Sequence, residues 1–103
     1  MTTAAHPRHR IVDELTAPVR LSIIAALVRV ESVDFKALRE SLEVSDSVLS
    51  KQVAALETAG FVKVTKGYVG KRPRTWLAAT AEGKIALAGH LAALRAIVDG
   101  VEG

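Results

Sequence analysis

Ser45-Asp-Ser-Val-Leu-Ser-Lys-Gln-Val-Ala-Ala-Leu-Glu-Thr-Ala-Gly60, followed at once by Phe61-Val-Lys-Val-Thr-Lys66, reads as a capped helix, a stop and a strand. Ser45 is a good N-cap, because its hydroxyl can accept from an orphan N–H of the first turn. Leu49, Val53 and Leu56 follow at the 4,3 spacing of an inward stripe, with Val44 and Val48 at its edge. The helix runs to about Thr58 and stops at Ala59-Gly60, where glycine supplies the left-handed residue that closes a C-terminus. Its other face carries Ser47, Ser50, Lys51, Ala54 and Thr58, small or hydrogen-bonding groups with no acid at the centre. Such a face can approach a groove floor closely, whereas an ordinary solvated face more often carries long Glu and Lys stems.

Downstream, Phe61 to Lys66 alternates with period two at a density of β-branched residues that argues strand. Thr75-Trp-Leu-Ala-Ala79 is its natural partner, which makes residues 67–74 a hairpin tip. Gly67 and Gly70 permit the positive φ angles of a turn, and Pro73, unable to donate to a ladder, belongs in the tip or at an edge. The tip, Lys66-Gly-Tyr-Val-Gly-Lys-Arg-Pro-Arg74, holds four cations and no acid. From Val44 to Trp76 six Lys/Arg face two acids, a local net of +4 in a chain whose total is +3. Positive charge concentrated in this way is the footprint of a nucleic-acid binder.

Upstream, residues 10–30 follow a helical pattern interrupted at Pro18, which suits the first turn of a new helix. Val19, Ile23, Leu27 and Val30 form its main stripe, widened by Leu21, Ile24 and Val28, with Arg20 and Arg29 left for solvent. Asp34 is the expected cap of a two-turn helix that buries Phe35, Leu38 and Leu42, and Val33 just before it suits a very short strand. The brief Glu43-Val44 link makes this helix and the next a helix-turn-helix, although no glycine marks the turn. Residues 1–9 are expected to be a flexible tail, made weakly basic by His6, Arg8, His9 and Arg10. Thr80 caps a last helix to about Asp99, in which Leu87, Leu91, Leu94, Val98 and Val101 repeat at 4,3,4,3, the seam of a short coiled coil. This helix, 80–99, is expected to dimerise.

In order, these parts resemble the winged helix-turn-helix of bacterial transcriptional regulators, in the group that includes the MarR and ArsR families. The resemblance is carried by Ala17-Pro-Val-Arg-Leu-Ser-Ile-Ile-Ala-Ala-Leu27, Phe35-Lys-Ala-Leu-Arg-Glu-Ser-Leu42, the Ser45 to Val62 stretch, Val69-Gly-Lys-Arg-Pro-Arg-Thr-Trp76 and Thr80-Ala-Glu-Gly83. The fold class is then mainly α with a small β-hairpin (α+β): a three-helix core plus wing and terminal dimerisation helices, as a single winged-helix domain over residues 10–103. The resemblance implies that the helix from Ser45 lies in the major groove, with the hairpin over a neighbouring minor groove. Ser47, Ser50, Lys51 and Gln52 are the candidates for base edges; Gln52 lies off the outward face and is left open between base, backbone and packing. Ser45 would direct N–H groups at a phosphate. Arg72 and Arg74 suit a narrow minor groove, and Lys66 and Lys71 suit phosphates.

The expected function is that of a sequence-specific transcriptional regulator of double-stranded DNA, a repressor acting as a homodimer on an inverted repeat. Two rivals stand beside it. A winged helix used for protein–protein contact predicts an apolar recognition face and an ordinary wing; an architectural DNA binder predicts equal affinity for all sequences. A small-molecule effector is a further option, with Tyr68 and Trp76 as pocket walls, although Trp76 also fits a core position beneath the wing.

At 103 residues, half of them apolar but only 4% aromatic, the chain suits one helical domain with an aliphatic core. The absence of cysteine excludes disulfides and thiolate metal sites. Met1 to Pro7 has no signal-peptide core, and the uncharged run 21–28 is far below the roughly 20 residues of a membrane span, so a cytoplasmic protein is expected. An enzyme is not expected. His6, His9 and His90 are scattered, no carboxylate cluster has metal-ligand spacing, Ser47 and Ser50 have no nearby histidine, and no cofactor is called for.

Overall fold

A computed structural model describes residues 5–100. Helix α1 is Pro18–Leu27, a two-residue strand β1 is Val33–Asp34, and helices α2 and α3 are Phe35–Leu42 and Asp46–Thr58. The hairpin follows as β2 (Val62–Val69) and β3 (Arg72–Ala79), and α4 spans Ala81–Asp99. The strands form one antiparallel sheet in the order β1-β3-β2.

Three of the expected helix starts are made by the expected side chain. Asp34 Oδ2 accepts from Ala37 N–H (3.1 Å), Ser45 Oγ from Val48 N–H (3.2 Å) and Thr80 Oγ1 from Gly83 N–H (2.9 Å). Pro18 opens α1, where its missing N–H has no partner to lose. The α2–α3 turn lacks a glycine because Glu43 itself takes the left-handed conformation (φ 58°), letting Val44 N–H donate to the Arg39 carbonyl at 3.3 Å. The core gathers Ile23, Ile24 and Leu27 from α1, Leu38 from α2, Leu49, Val53 and Leu56 from α3, Val62 and Leu77 from the hairpin, and Leu87 from α4.

Several expectations are corrected. The segment before Pro18 is not a helix but two 3₁₀ turns, Pro7–Arg10 and Asp13–Leu15, joined by extended backbone. Its anchors are long-range: Leu15 is fully buried, and Val12 N–H donates to His90 Nδ1 on α4 at 3.1 Å. Within the expected tail, Pro7 is buried and the Pro7–Arg10 turn packs on α4; residues 1–4 lie outside those described. Arg20 is half-buried rather than solvated, with its Nε shut off from water and from any hydrogen-bond partner.

The hairpin tip is shorter than 67–74, because both strands continue to a two-residue Gly70-Lys71 turn flanked by the pair Val69 and Arg72. Gly70 alone in the wing has positive φ (63°), the arrangement of a II′ turn with glycine first. Gly67 is an ordinary strand residue facing the Trp76 ring. Trp76 in turn stands half-buried on the outer face of the hairpin, outside the core.

Candidate nucleic-acid interface

Alternation along the hairpin sorts its side chains onto two faces. The paired Val64 and Leu77 point into the core, so the pairs two and four residues along, Lys66 with Thr75 and Tyr68 with Pro73, share the face turned toward α3. Gly67 with Arg74, Val69 with Arg72 and Thr65 with Trp76 share the opposite face. Tyr68 and Trp76 therefore cannot wall one pocket, as an effector site built on them requires. The expected wing cations are also divided, with Lys66 turned toward α3 and Arg72 and Arg74 turned away. All three are exposed, as is Lys71 in the turn.

On α3, burial of Leu49, Val53 and Leu56 turns Ser47, Ser50, Lys51 and Ala54 outward. Gln52 is half-buried at the margin of that face. The Ser45 hydroxyl is spent on its cap and lies 3.2 Å from Ser47 Oγ, which ties both hydroxyls to the first turn. Asp46, the acid nearest this end, is neutralised by Arg39 of α2, whose Nε lies 2.8 Å from Asp46 Oδ1. The outward face thus keeps Lys51 as a free cation among the described residues and Glu57 as the acid at its far end. Between α3 and the wing runs a groove of about 330 Å³, floored by Phe35, Val53, Val64 and Leu77 and rimmed by Ser50, Glu57, Lys66 and Thr75.

A family model described as a winged helix DNA-binding domain matches residues 19–98. The chain belongs to this winged-helix family. An uncharacterized protein of Methanocaldococcus jannaschii is 32% identical over 73 residues, covering 71% of this chain and 79% of that protein. The structure of a transcriptional regulator homologue from Pyrococcus horikoshii OT3 superposes with a TM-score of 0.79 at 30% identity, covering 88% of this chain and 90% of that one. A MarR family regulator from Rhodococcus sp. RHA1 shares the fold at 21% identity (TM-score 0.66, covering 93% of this chain and 70% of that one). The matched family is described as DNA-binding and the Pyrococcus protein as a transcriptional regulator homologue, which is the class the sequence led us to expect.

In this winged helix two residues near the interface escaped sequence reasoning. Lys36, in the first turn of α2, lines a cleft with Arg72 and Arg74, and Asp34 pairs with Arg74 at 3.7 Å. The signal available was only the adjacency of Lys36 to the Asp34 cap; the wing lies too far along the chain for local patterns to connect the two.

The apolar seam expected on α4 is also redrawn. Leu87 closes its own chain's core at 7% exposure, whereas Leu91 (49%) and Val98 (81%) stand open with Leu94 and Ile97. Leu87, Leu91, Leu94 and Val98 share one helix face, but only Leu87 lies over the core. Farther along, the chain covers a different face, that of His90, Ala93 and Ala96. Val101 lies outside the described residues. No helix among the described residues is long and apolar enough to cross a membrane.

Proposed function

We propose that the protein is a sequence-specific regulator of transcription, a cytoplasmic homodimer that represses by occupying an inverted-repeat operator. The observation that carries this is the pairing of a small-residue helix face with a basic wing. Ser47, Ser50, Lys51 and Ala54 are exposed on α3, Ser50 and Ala54 line one groove with Lys66, and Lys71 and Arg72 complete a tip with no acid against them among the described residues. Serine hydroxyls and a lysine can meet base edges, while the wing cations meet phosphates or a narrow minor groove. Gln52 is assigned to the margin, within reach of the backbone.

The homodimer is supported by the exposed Leu91, Leu94, Ile97 and Val98, an apolar surface that a monomer would leave in water. Two copies joined there would present two α3 helices, and an operator would place half-site centres about 10–10.5 bp or a multiple apart. A small-molecule effector is a secondary part of the proposal, supported by the groove between α3 and the wing. The structurally similar NadR was solved with 4-hydroxyphenylacetate. Selection of bound duplexes from a random pool tests the main proposal. An enriched inverted repeat is expected, whereas uniform recovery would leave only a non-specific binder. Adding small aromatic acids to the recovered complex tests for the effector through any change in affinity.

A further inference from the structure

Among the described residues Arg74 is the one wing cation with an acidic partner. Its Nε lies 3.7 Å from Asp34 Oδ1, outside the roughly 2.7–2.9 Å of a charge-assisted hydrogen bond. The other oxygen of Asp34 is committed, since Oδ2 caps α2 through the Ala37 N–H. Lys36, Arg72, Arg74 and Thr75 line a cleft of about 320 Å³ in which Asp34 is the single acid. Neither Lys36 nor Arg72 has an acid within ion-pair distance among the described residues. Phe35 and Thr75 border both this cleft and the groove beside α3, so the cleft continues the surface that carries Ser50 and Lys66.

We infer that the cleft is a seat for a DNA backbone phosphate and that Asp34 is its placeholder. The inference rests on the DNA-binding function proposed above and extends it to α2. In the free protein Asp34 holds Arg74 over the cleft. On binding, a phosphate takes up Arg74, with Lys36 and Arg72 on either side. Three cations facing one carboxylate leave an excess of positive charge, and a phosphate offers the guanidinium a bidentate acceptor that the capping carboxylate, with one oxygen engaged, does not. Asp34 cannot leave, because it starts α2, but its hold on Arg74 is long and partly solvated, so the exchange costs little. The retained carboxylate then opposes every phosphate entering the seat and holds down affinity for all DNA.

The test compares the wild type with Asp34→Asn, Lys36→Gln, Arg74→Gln and the Asp34→Asn/Arg74→Gln double variant. One duplex is titrated by fluorescence anisotropy across a salt series. Asparagine caps a helix as well as aspartate does, so the start of α2 is preserved, and thermal midpoints check this. Asp34→Asn is expected to tighten binding by roughly three- to tenfold at low salt, and the gain is expected to shrink in the Arg74→Gln background. Lys36→Gln is expected to weaken binding and to flatten the slope of log K against log salt by about 0.9. A wild type that binds while Asp34→Asn and Lys36→Gln change neither affinity nor slope would remove the phosphate seat alone. A gain from Asp34→Asn that is undiminished without Arg74 would overturn the placeholder. A wild type that binds no duplex would take the proposed function down with it.

Discussion

Gly83, in the first turn of α4, sits against the backbone of residue 61, and its replacement by alanine should be among the most damaging small changes available. A Cβ there would run into the Phe61 carbonyl oxygen and approach the Phe61 carbonyl carbon and Cα to 3.0 and 3.1 Å. These are backbone atoms with no rotamer to yield, so α4 would have to move. Movement strains a local lattice: Thr80 N–H donates to the Phe61 carbonyl (3.0 Å), Thr80 Oγ1 donates to the Gly60 carbonyl (2.6 Å) and accepts from Gly83 N–H (2.9 Å). Overpacking costs about 1–3 kcal/mol, and a weakened cap and hydrogen bond about 1 kcal/mol each. The better helix propensity of alanine returns about 1 kcal/mol. The expected net loss is about 2–4 kcal/mol. Gly89, on the same helix, is the control, since it is exposed and a Cβ there meets nothing within 4 Å. Gly89→Ala should gain about 0.8–1 kcal/mol. Urea denaturation followed by far-UV circular dichroism, at one fixed protein concentration, reads both as shifts in midpoint of opposite sign. Equal shifts, or a Gly83→Ala protein as stable as the wild type, would refute the close approach.

Three further outcomes are expected. His90→Ala should cost about 2–4 kcal/mol, because it opens a cavity and orphans the Val12 N–H; hydrogen exchange at Val12 should accelerate, and an unchanged rate would contradict the contact. Leu91→Glu combined with Val98→Glu should convert a dimer to a folded monomer in sedimentation velocity, whereas an unchanged mass would place dimerisation elsewhere. Lys51→Ala should cost about 1–3 kcal/mol on a selected operator and less on random DNA, and equal losses on the two would make Lys51 a phosphate contact.

What the sequence made legible was local. Asp34, Ser45 and Thr80 cap the N–H groups expected of them, since a cap is decided within one turn. Alternation in Phe61 to Lys66 and the stripe Leu49, Val53, Leu56 identified β2 and α3 because each pattern repeats within a few residues. The hidden parts depend on distant partners. The extended backbone around Val12 is held by His90, 78 positions away, and its composition alone resembles helix. The role of Gly83 is set by residue 61, and the place of Lys36 by a strand that returns beside it. On α4 the periodicity grouped Leu87 with Leu91, Leu94 and Val98, but periodicity does not report where a helix runs past its own core.

The central claim is that α3 and the wing grip one duplex together, and the salt dependence of DNA binding by the wild type and an Arg72→Ala/Arg74→Ala variant tests it most directly. The wild type should bind tightly at low ionic strength and lose affinity steeply with salt, and the variant should bind more weakly with a slope shallower by about 0.9–1.8. Identical curves for the two proteins, or no retention of any duplex by the wild type at low salt, would contradict it.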